Sequence, residues 1–522
     1  GAGHSHCCSC HLITTEKHKI LLDCGQFQGS KTREAMNYEP FPFDPAEIDY
    51  MILSHAHIDH CGRIPLLVKR GFKGEIYCTD ATADLVEVML KDSGYIHEKE
   101  AEWKNRKNER AGRPAVEPLY TFNDAMDSLK FIKPVLYDQL IELNDEMKFV
   151  FNDAGHILGS AITELWIKEE DKTSKIVFSG DLGVMDRPIL RNPTIIKKAD
   201  YVIMETTYGN RVHPSNSLDV TRLMDIIRDT AKRGGTTVIP SFAVGRTQEL
   251  IYELNRVYDS DSEYRKDFEN LMVYVDNPLD FKNLKFTRTS QESMWLNSDP
   301  TPKVIISASG MCDAGRIRHH LKHNLWNRKS SIIFVGYQAE GTLGRLLLDG
   351  AKEVTLFGEN VQVNAQIHNL EGFSGHADKD GLFAWLSGFQ TVPKHVFLVH
   401  GEEESKKAFA YTVKEKLGYD PIVVTEQSEY VLEKDEIVDS RIIENDGLQE
   451  EIISNTQDTL TDIHSRIEDI LYNAKLAVGK DISSAKMTKI NNLVMELEKS
   501  TINLGAVINE EDRDKNPAEG LA

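Results

Sequence analysis

Apolar positions along this chain change their period several times, and the changes mark the expected elements. Short apolar runs, each closed by a turn or polar residue, recur through the first 205 positions. They are Lys19-Ile-Leu-Leu-Asp23, Ile48-Asp-Tyr-Met-Ile-Leu-Ser54, Lys175-Ile-Val-Phe-Ser179 and Tyr201-Val-Ile-Met-Glu205. Runs of this length and boundary read as strands. Residues 81–147 read instead as mostly helical and polar, with a charged stretch from Glu98 to Arg113. Between 206 and 365, strand and helix alternate. Strands are expected at Thr236–Pro240, Leu271–Val275, Lys303–Ser307 and Ser331–Val335, with a helix from Arg246. That alternation predicts a second α/β unit built on a parallel sheet. One more strand, His395–Val399, runs into His400.

Beyond about residue 440 the period becomes helical. Ile453, Leu460, Ile463, Ile467, Ile470 and Ala474 form one apolar stripe. Met487, Ile490, Val494 and Leu497 form a second, with Gly479 between the two. This predicts a helical hairpin of about 60 residues, a packing appendage or a contact for a homodimer. A regulatory or partner-binding role is the alternative.

Length and composition narrow the picture. A chain of 522 residues exceeds one ordinary core, so two or three domains are expected. No apolar run reaches the roughly 18 residues of a membrane span, and no signal-peptide layout is evident, so no membrane association is expected. Seven cysteines, an odd number, make no disulfide framework, and a reducing cytoplasm is the expected compartment. A net charge of -21 excludes a generally basic nucleic-acid coat. A narrow basic cleft on an acidic body stays open.

The densest chemistry lies in Ser54-His55-Ala-His57-Ile-Asp59-His60. Four ligand-type residues this close cannot all face one way on a helix or strand, but a loop can wrap them round an ion. Imidazole with carboxylate suits zinc, with manganese or iron less suited. His156 stands in Asn152-Asp-Ala-Gly-His-Ile-Leu-Gly-Ser160, Asp181 in Ser179-Gly-Asp-Leu-Gly183, and His400 in Leu398-Val-His-Gly-Glu402. A lone histidine is more often structural. Here several strands end in a metal-competent residue near glycine, and strand C-terminal ends are where α/β sheets gather ligands.

These residues, in this order, resemble the metallo-β-lactamase superfamily, whose mark is H-x-H-x-D-H followed by a distant His, an Asp and a last His. Met204-Glu-Thr-Thr-Tyr-Gly209, Phe373-Ser-Gly-His-Ala-Asp378 and Leu398-Val-His400 look like the three added motifs of its β-CASP nucleases. Ile239-Pro-Ser-Phe-Ala-Val-Gly-Arg246 and Ser307-Ala-Ser-Gly-Met311 resemble that family's inserted domain. The likeness covers roughly residues 10–435. It is closest to bacterial and archaeal relatives of the endonuclease subunit of the cleavage and polyadenylation specificity factor.

The resemblance implies an α/β protein. A metallo-β-lactamase αββα sandwich would occupy 1–205 and 366–440, an inserted α/β β-CASP domain 206–365, and the helical tail 441–522. It implies two Zn2+ per chain: His55, His57 and His156 on one, Asp59, His60 and His400 on the other, and Asp181 bridging. Asp23 would orient the loop from behind the ligands. The implied activity is a zinc-dependent ribonuclease that cuts single-stranded RNA internally through a hydroxide held between the zincs. A histidine at 400 favours the RNA-type members over the DNA-repair branch. His376, placed by Glu205, would be the acid for the leaving oxygen, and Asp59 counts among the catalytic residues as well as the ligands.

Ser374, Gly375 and Arg246 are candidates for phosphate, the last because it opens a helix. Arg316, near Gly310 and Gly315, and Arg345, near Gly341 and Gly344, are weaker ones. Two alternatives stand beside the ribonuclease. One is a metallohydrolase for a small phosphodiester or thioester, for which an inserted domain would be unneeded. The other is a non-catalytic RNA-processing scaffold, which would be expected to lack ligands. The cluster of Cys7, Cys8 and Cys10 fits no zinc-finger spacing and is not expected to hold a further ion. His319, His320 and His323, on an expected helix, are read as structural or solvent-facing.

Overall fold

A computed structural model of the chain describes residues 8–442 apart from 30, 113, 215, 243–244, 260–263, 269–270, 276–283, 288, 340, 426–427 and 434–435. The chain divides into Gly1–Glu444 and Asn445–Ala522, and the second unit lies wholly outside the described residues. The expected helical tail therefore lies outside them too, except for Arg441 and Ile442, which end the strand Glu436–Ile442.

Alternation along single strands shows how the first part becomes layered. In Lys19–Leu22, Ile20 and Leu22 face one core and Leu21 another. Successive strand side chains point to opposite faces, so one strand serves two cores. Ile20, Leu22 and Ile52 meet Phe149, Phe151, Leu165 and Phe178 of a second sheet. Leu21, Met51 and Leu53 turn outward onto Ile64, Leu67, Val86 and Leu90, carried by the helices Ile64–Lys69 and Asp80–Ala111. On the far side, Val202, Met204 and Leu398 of the second sheet pack on Leu382, Trp385 and Phe409 from the helices Lys379–Ser387 and Glu403–Leu417. The order is helix, sheet, sheet, helix.

The first sheet has five strands, in the order His11–Thr14, Lys19–Leu22, Tyr50–Ile52, Glu75–Thr79, Ile132–Val135. The stretch 81–147 expected to be mostly helical contains the helices Asp80–Ala111 and Phe122–Ser128, but then turns to strand. Ile132–Val135 pairs in parallel with Glu75–Thr79. It lies at the sheet's open edge, where Pro134 need supply no ladder donor.

The second sheet has seven strands, from Ile422–Val423 across His395–Val399, Tyr201–Glu205, Lys172–Phe178, Ala161–Glu169 and Met147–Asp153 to Ile141–Glu142. Its neighbours Lys172–Phe178, Tyr201–Glu205 and His395–Val399 are parallel. Their C-terminal ends therefore fall on one rim, and the residues that follow them do too.

Residues 206–370 add a separate six-stranded sheet. It is parallel throughout and runs in the order Leu284–Phe286, Met272–Val275, Lys303–Ser307, Thr237–Pro240, Ser331–Phe334, Gln366–Asn369. One face is covered by Leu223, Ile227, Leu250 and Leu254, the other by Ile317, Leu321 and Leu347. The pairing of Ser331 with Gln366 carries this sheet past residue 365.

Candidate metal and acid site

Six strand ends build the site. Asp23 follows Lys19–Leu22, and the loop Ser54–His60 follows the parallel neighbour Tyr50–Ile52. Asp181, Glu205 and His400 come from the three adjacent parallel strands of the second sheet. His156 stands just past Met147–Asp153. Two backbones are forced into uncommon shape here: Asp23 has φ 59° and His400 φ 44°. Non-glycine residues adopt the left-handed region rarely, and such positions gather where the surrounding structure over-determines them.

His55, His57, His156 and Asp181 bring one ligand atom each to within 4.8 Å of one another, and so do Asp59, His60 and His400. Nε2 of His55 is 3.0 Å from Nδ1 of His57, which is 3.2 Å from Nε2 of His156. Asp181 Oδ2 lies 3.4 Å from Nε2 of His55 and 3.3 Å from Nε2 of His60, between the two groups. Nε2 of His400 is 3.5 Å from Asp59 Oδ2.

Among the described residues, the buried atoms Asp181 Oδ1, Asp181 Oδ2, His60 Nε2 and His400 Nε2 have no hydrogen-bond partner. Buried polar atoms are almost always partnered, so an orphaned carboxylate among converging imidazoles fits divalent cations. Protonation agrees. Burial, followed by repulsion from His55, holds His57 neutral down to about 3, the form that binds metal. Asp181 stays ionised despite burial because His60 and His400 surround it.

Groups behind the candidate ligands fix their rings. His60 Nδ1 is 2.7 Å from Asp23 Oδ2, and Asp23 also accepts from the backbone N–H of Ser54 at 2.8 Å. His156 Nδ1 lies 3.1 Å from the carbonyl oxygen of Gly375, and His400 Nδ1 lies 3.1 Å from Thr207 Oγ1. Packing leaves no slack. A Cβ on Gly25 would sit 1.6 Å from the carbonyl oxygen of Asp59, and one on Gly183 would sit 1.8 Å from that of Gly155.

A third group abuts the first two: Asp181, Glu205 and His376. Both Glu205 oxygens stand 3.3 Å from His376 Nδ1. Glu205 is fully buried and accepts from the backbone N–H groups of Leu182 and Thr207. His376 Nε2 has no hydrogen-bond partner among the described residues. Burial would depress the imidazole, but Glu205 and then Asp181 outweigh it and push the pKa up to about 9.

The phosphate candidates divide. Arg246 opens the helix Arg246–Asp259, and its Nη2 would lie 3.0 Å from a Cβ on Gly375, beside His156. Ser374 is buried next to the acid candidate, and its Oγ accepts weakly from the His376 N–H at 3.4 Å. Gly375 contributes its carbonyl oxygen to His156. Arg316 donates to the Thr287 carbonyl at 2.8 Å, and Arg345 pairs with Asp349 one turn on at 2.9 Å.

Four participants went unnoticed in the sequence. Ser54 touches Asp23 and lies 3.0 Å from His55 Nδ1. Thr207 backs His400. His213 Nε2 lies 3.2 Å from the His376 carbonyl oxygen. Arg187 donates to the Gly372 and Ser374 carbonyls of the loop that ends in His376. Only Ser54 and Thr207, beside motif residues, carried any local signal.

Among the described residues, no cysteine joins a metal-competent group, and Cys8, Cys10 and Cys24 are free thiols. Cys8 donates to the Gly25 carbonyl and receives an Arg63 N–H, and Cys7 lies outside the described residues. Of the other histidines, His320 is buried against Ser293 and Asn297, and His319 stacks on Phe357.

This site, on two sheets sandwiched by helices with an added parallel-sheet domain, defines a metal-dependent hydrolase. Residues 8–210 match the metallo-beta-lactamase superfamily, 221–347 the Beta-Casp domain, and 360–424 the Zn-dependent metallo-hydrolase RNA specificity domain. The chain belongs to the β-CASP family of the metallo-β-lactamase superfamily. Among its relatives is ribonuclease TTHA0252 of Thermus thermophilus, 35% identical over 77% of this chain and 92% of that one. The transcription termination factor FttA of Methanosarcina mazei is 31% identical over 80% of this chain and 68% of its own length. An RNase J-like protein of Methanocaldococcus jannaschii is 30% identical over 78% and 92%. No helix among the described residues is long and apolar enough to cross a membrane.

Proposed function

We propose that this chain is a zinc-dependent ribonuclease that cuts single-stranded RNA internally. The carrying observation is a buried carboxylate, Glu205, paired with His376 beside Asp181, the His376 Nε2 having no hydrogen-bond partner among the described residues. A metallohydrolase acting on a good leaving group has no need of such a pair. An RNA phosphodiester expels a poor, alkoxide-like oxygen and does need a proton donor. The match to an RNA specificity domain and the relatives named as ribonucleases point the same way.

His55, His57 and His156 would hold one zinc, Asp59, His60 and His400 the other, and Asp181 would serve both. Two such ions supply Lewis-acid stabilisation of charge on the phosphoryl oxygens and lower the pKa of water toward neutrality. The chain's own groups do the rest. Glu205 takes the Nδ1–H of His376, so the proton given to the leaving oxygen is the one on Nε2. Arg246, with Nη2 over Gly375, binds a non-bridging oxygen of the same phosphate. Asp23, Thr207 and the Gly375 carbonyl keep the imidazoles turned toward the ions.

The test joins elemental analysis to cleavage of a 5′-labelled single-stranded RNA, with and without chelator. About two zincs per chain and chelator-sensitive internal cuts are expected. Shortening from one end alone would overturn internal cutting. Metal-replete protein that leaves RNA intact would overturn the ribonuclease reading.

A further inference from the structure

Arg187 lies in the loop after Asp181, and its side chain is 7% exposed. Its guanidinium spans two parts of the molecule. Nη1 donates to Glu249 Oε1 at 2.6 Å, on the inserted domain's helix Arg246–Asp259. Nη2 donates to the carbonyl oxygens of Gly372 and of Ser374, the latter at 2.9 Å. The other Glu249 oxygen, Oε2, accepts from Arg246 Nη1.

The segment that receives these bonds is the one that ends in His376. It is pinned from the other side as well: the Gly372 N–H donates to Asp219 Oδ2 at 2.6 Å, and the Ala377 N–H to the Leu182 carbonyl at 2.7 Å. A buried arginine bonded to two carbonyls and one carboxylate is costly to desolvate, and leaving its partners unmet is costlier. A surface loop needs no such anchor. An imidazole that must meet a leaving oxygen within a few tenths of an ångström does.

We infer that Arg187, oriented by Glu249, is a positioning residue that holds the Gly372–His376 segment so that His376 can deliver its proton. Because Glu249 also holds Arg246, the same carboxylate sets the acid's loop and the phosphate-binding arginine from one point on the inserted domain. The inference rests on the acid role proposed for His376. Neither Arg187 nor Glu249 contacts a candidate metal ligand directly, and because the Gly375 carbonyl in this segment meets His156, zinc content is read beside activity for every variant.

The experiment uses the full chain, loaded with zinc, and two small phosphodiesters, methyl 4-nitrophenyl phosphate and methyl phenyl phosphate. Nitrophenolate leaves without help, whereas phenolate gains from a proton. Arg187→Lys and Arg187→Ala are compared with the parent and with His376→Ala, with zinc content and thermal midpoint recorded for each. The expected result is a loss of about 10-fold or more in kcat on the phenyl ester, within 2-fold on the nitrophenyl ester, with KM and zinc content little changed. Arg187→Lys should retain more activity than Arg187→Ala. Equal losses on both esters, or none on either, overturn the positioning role. If His376→Ala itself lowers both esters alike, the acid assignment fails and the positioning role falls with it. If His376→Ala discriminates and Arg187→Lys does not, only the positioning role fails.

Discussion

Oδ2 of Asp23 lies 2.7 Å from Nδ1 of His60, and both side chains are buried. In the neutral imidazole this places the proton on Nδ1 and leaves Nε2 as a lone pair, 3.3 Å from Asp181 Oδ2. The carboxylate thus chooses which nitrogen meets an ion. Asp23→Asn should keep the fold and weaken metal binding by about 10–100-fold, the usual cost of losing an orienting partner. Competition with a chelator of known affinity measures it, and parent-like retention of both ions would refute the role.

Asp181 belongs to the group of His55, His57 and His156, its Oδ2 also lies 3.3 Å from Nε2 of His60 in the other group, and neither of its oxygens has a hydrogen-bond partner among the described residues. Asp181→Ala should therefore reduce metal content at both groups at once. Elemental analysis after dialysis reads this directly. Loss of a single ion, with the other bound at parent affinity, would assign Asp181 to one group only.

Gly25 supports the metal loop by having no side chain. Its N–H donates to the Ser9 carbonyl, and its would-be Cβ collides with the Asp59 carbonyl oxygen at 1.6 Å. Backbone cannot swing aside as a flexible side chain can. Gly25→Ala should cost about 1–3 kcal/mol of stability and displace Asp59 and His60. A denaturant titration of the metal-free protein and a zinc count on the refolded one check the two effects separately.

His97, on the helix Asp80–Ala111, packs edge-on against Tyr120 and is held near neutral by burial, with Lys104 adding repulsion, so its pKa falls to about 4. An unfolded histidine titrates near 6.5. Between those values the unfolded chain binds a proton that the folded one refuses, so stability present above about 6.5 is lost as pH falls toward 4 and changes no further below it. The contribution at pH 5 is about 2 kcal/mol at most. Unfolding of the parent and of His97→Gln at pH 7.5 and pH 5 should show a smaller acid loss in the variant. Identical losses would place the acid sensitivity elsewhere.

Much of the frame was legible along the chain because its signals are local. An apolar run bounded by polar residues marks a strand whatever it pairs with, and Lys303–Ser307 and His395–Val399 are found where the pattern put them. The gathering of ligand-type residues was legible for the same reason: His55, His57, Asp59 and His60 share one loop, and Asp181 and His400 each follow a strand. The edge strand Ile132–Val135 was missed because its four residues, one of them proline, carry too short a pattern to stand out beside a long polar helix.

By itself the sequence determined which residue types stand at strand ends, and hence that a metal-binding rim could form. Only the tertiary structure decided who meets whom. Glu205 and His376 are 171 positions apart and meet because Tyr201–Glu205 lies beside the strand leading to Leu182, whose neighbour Gly183 bridges to His376. Arg187 reaches Glu249 and the Ser374 carbonyl across the join of two sheets, while Arg316 and Arg345, similar in local context to Arg246, turn to Thr287 and Asp349. Local periodicity encodes which face a side chain presents. Its partner is set by sheet order and register, which depend on burying every face at once.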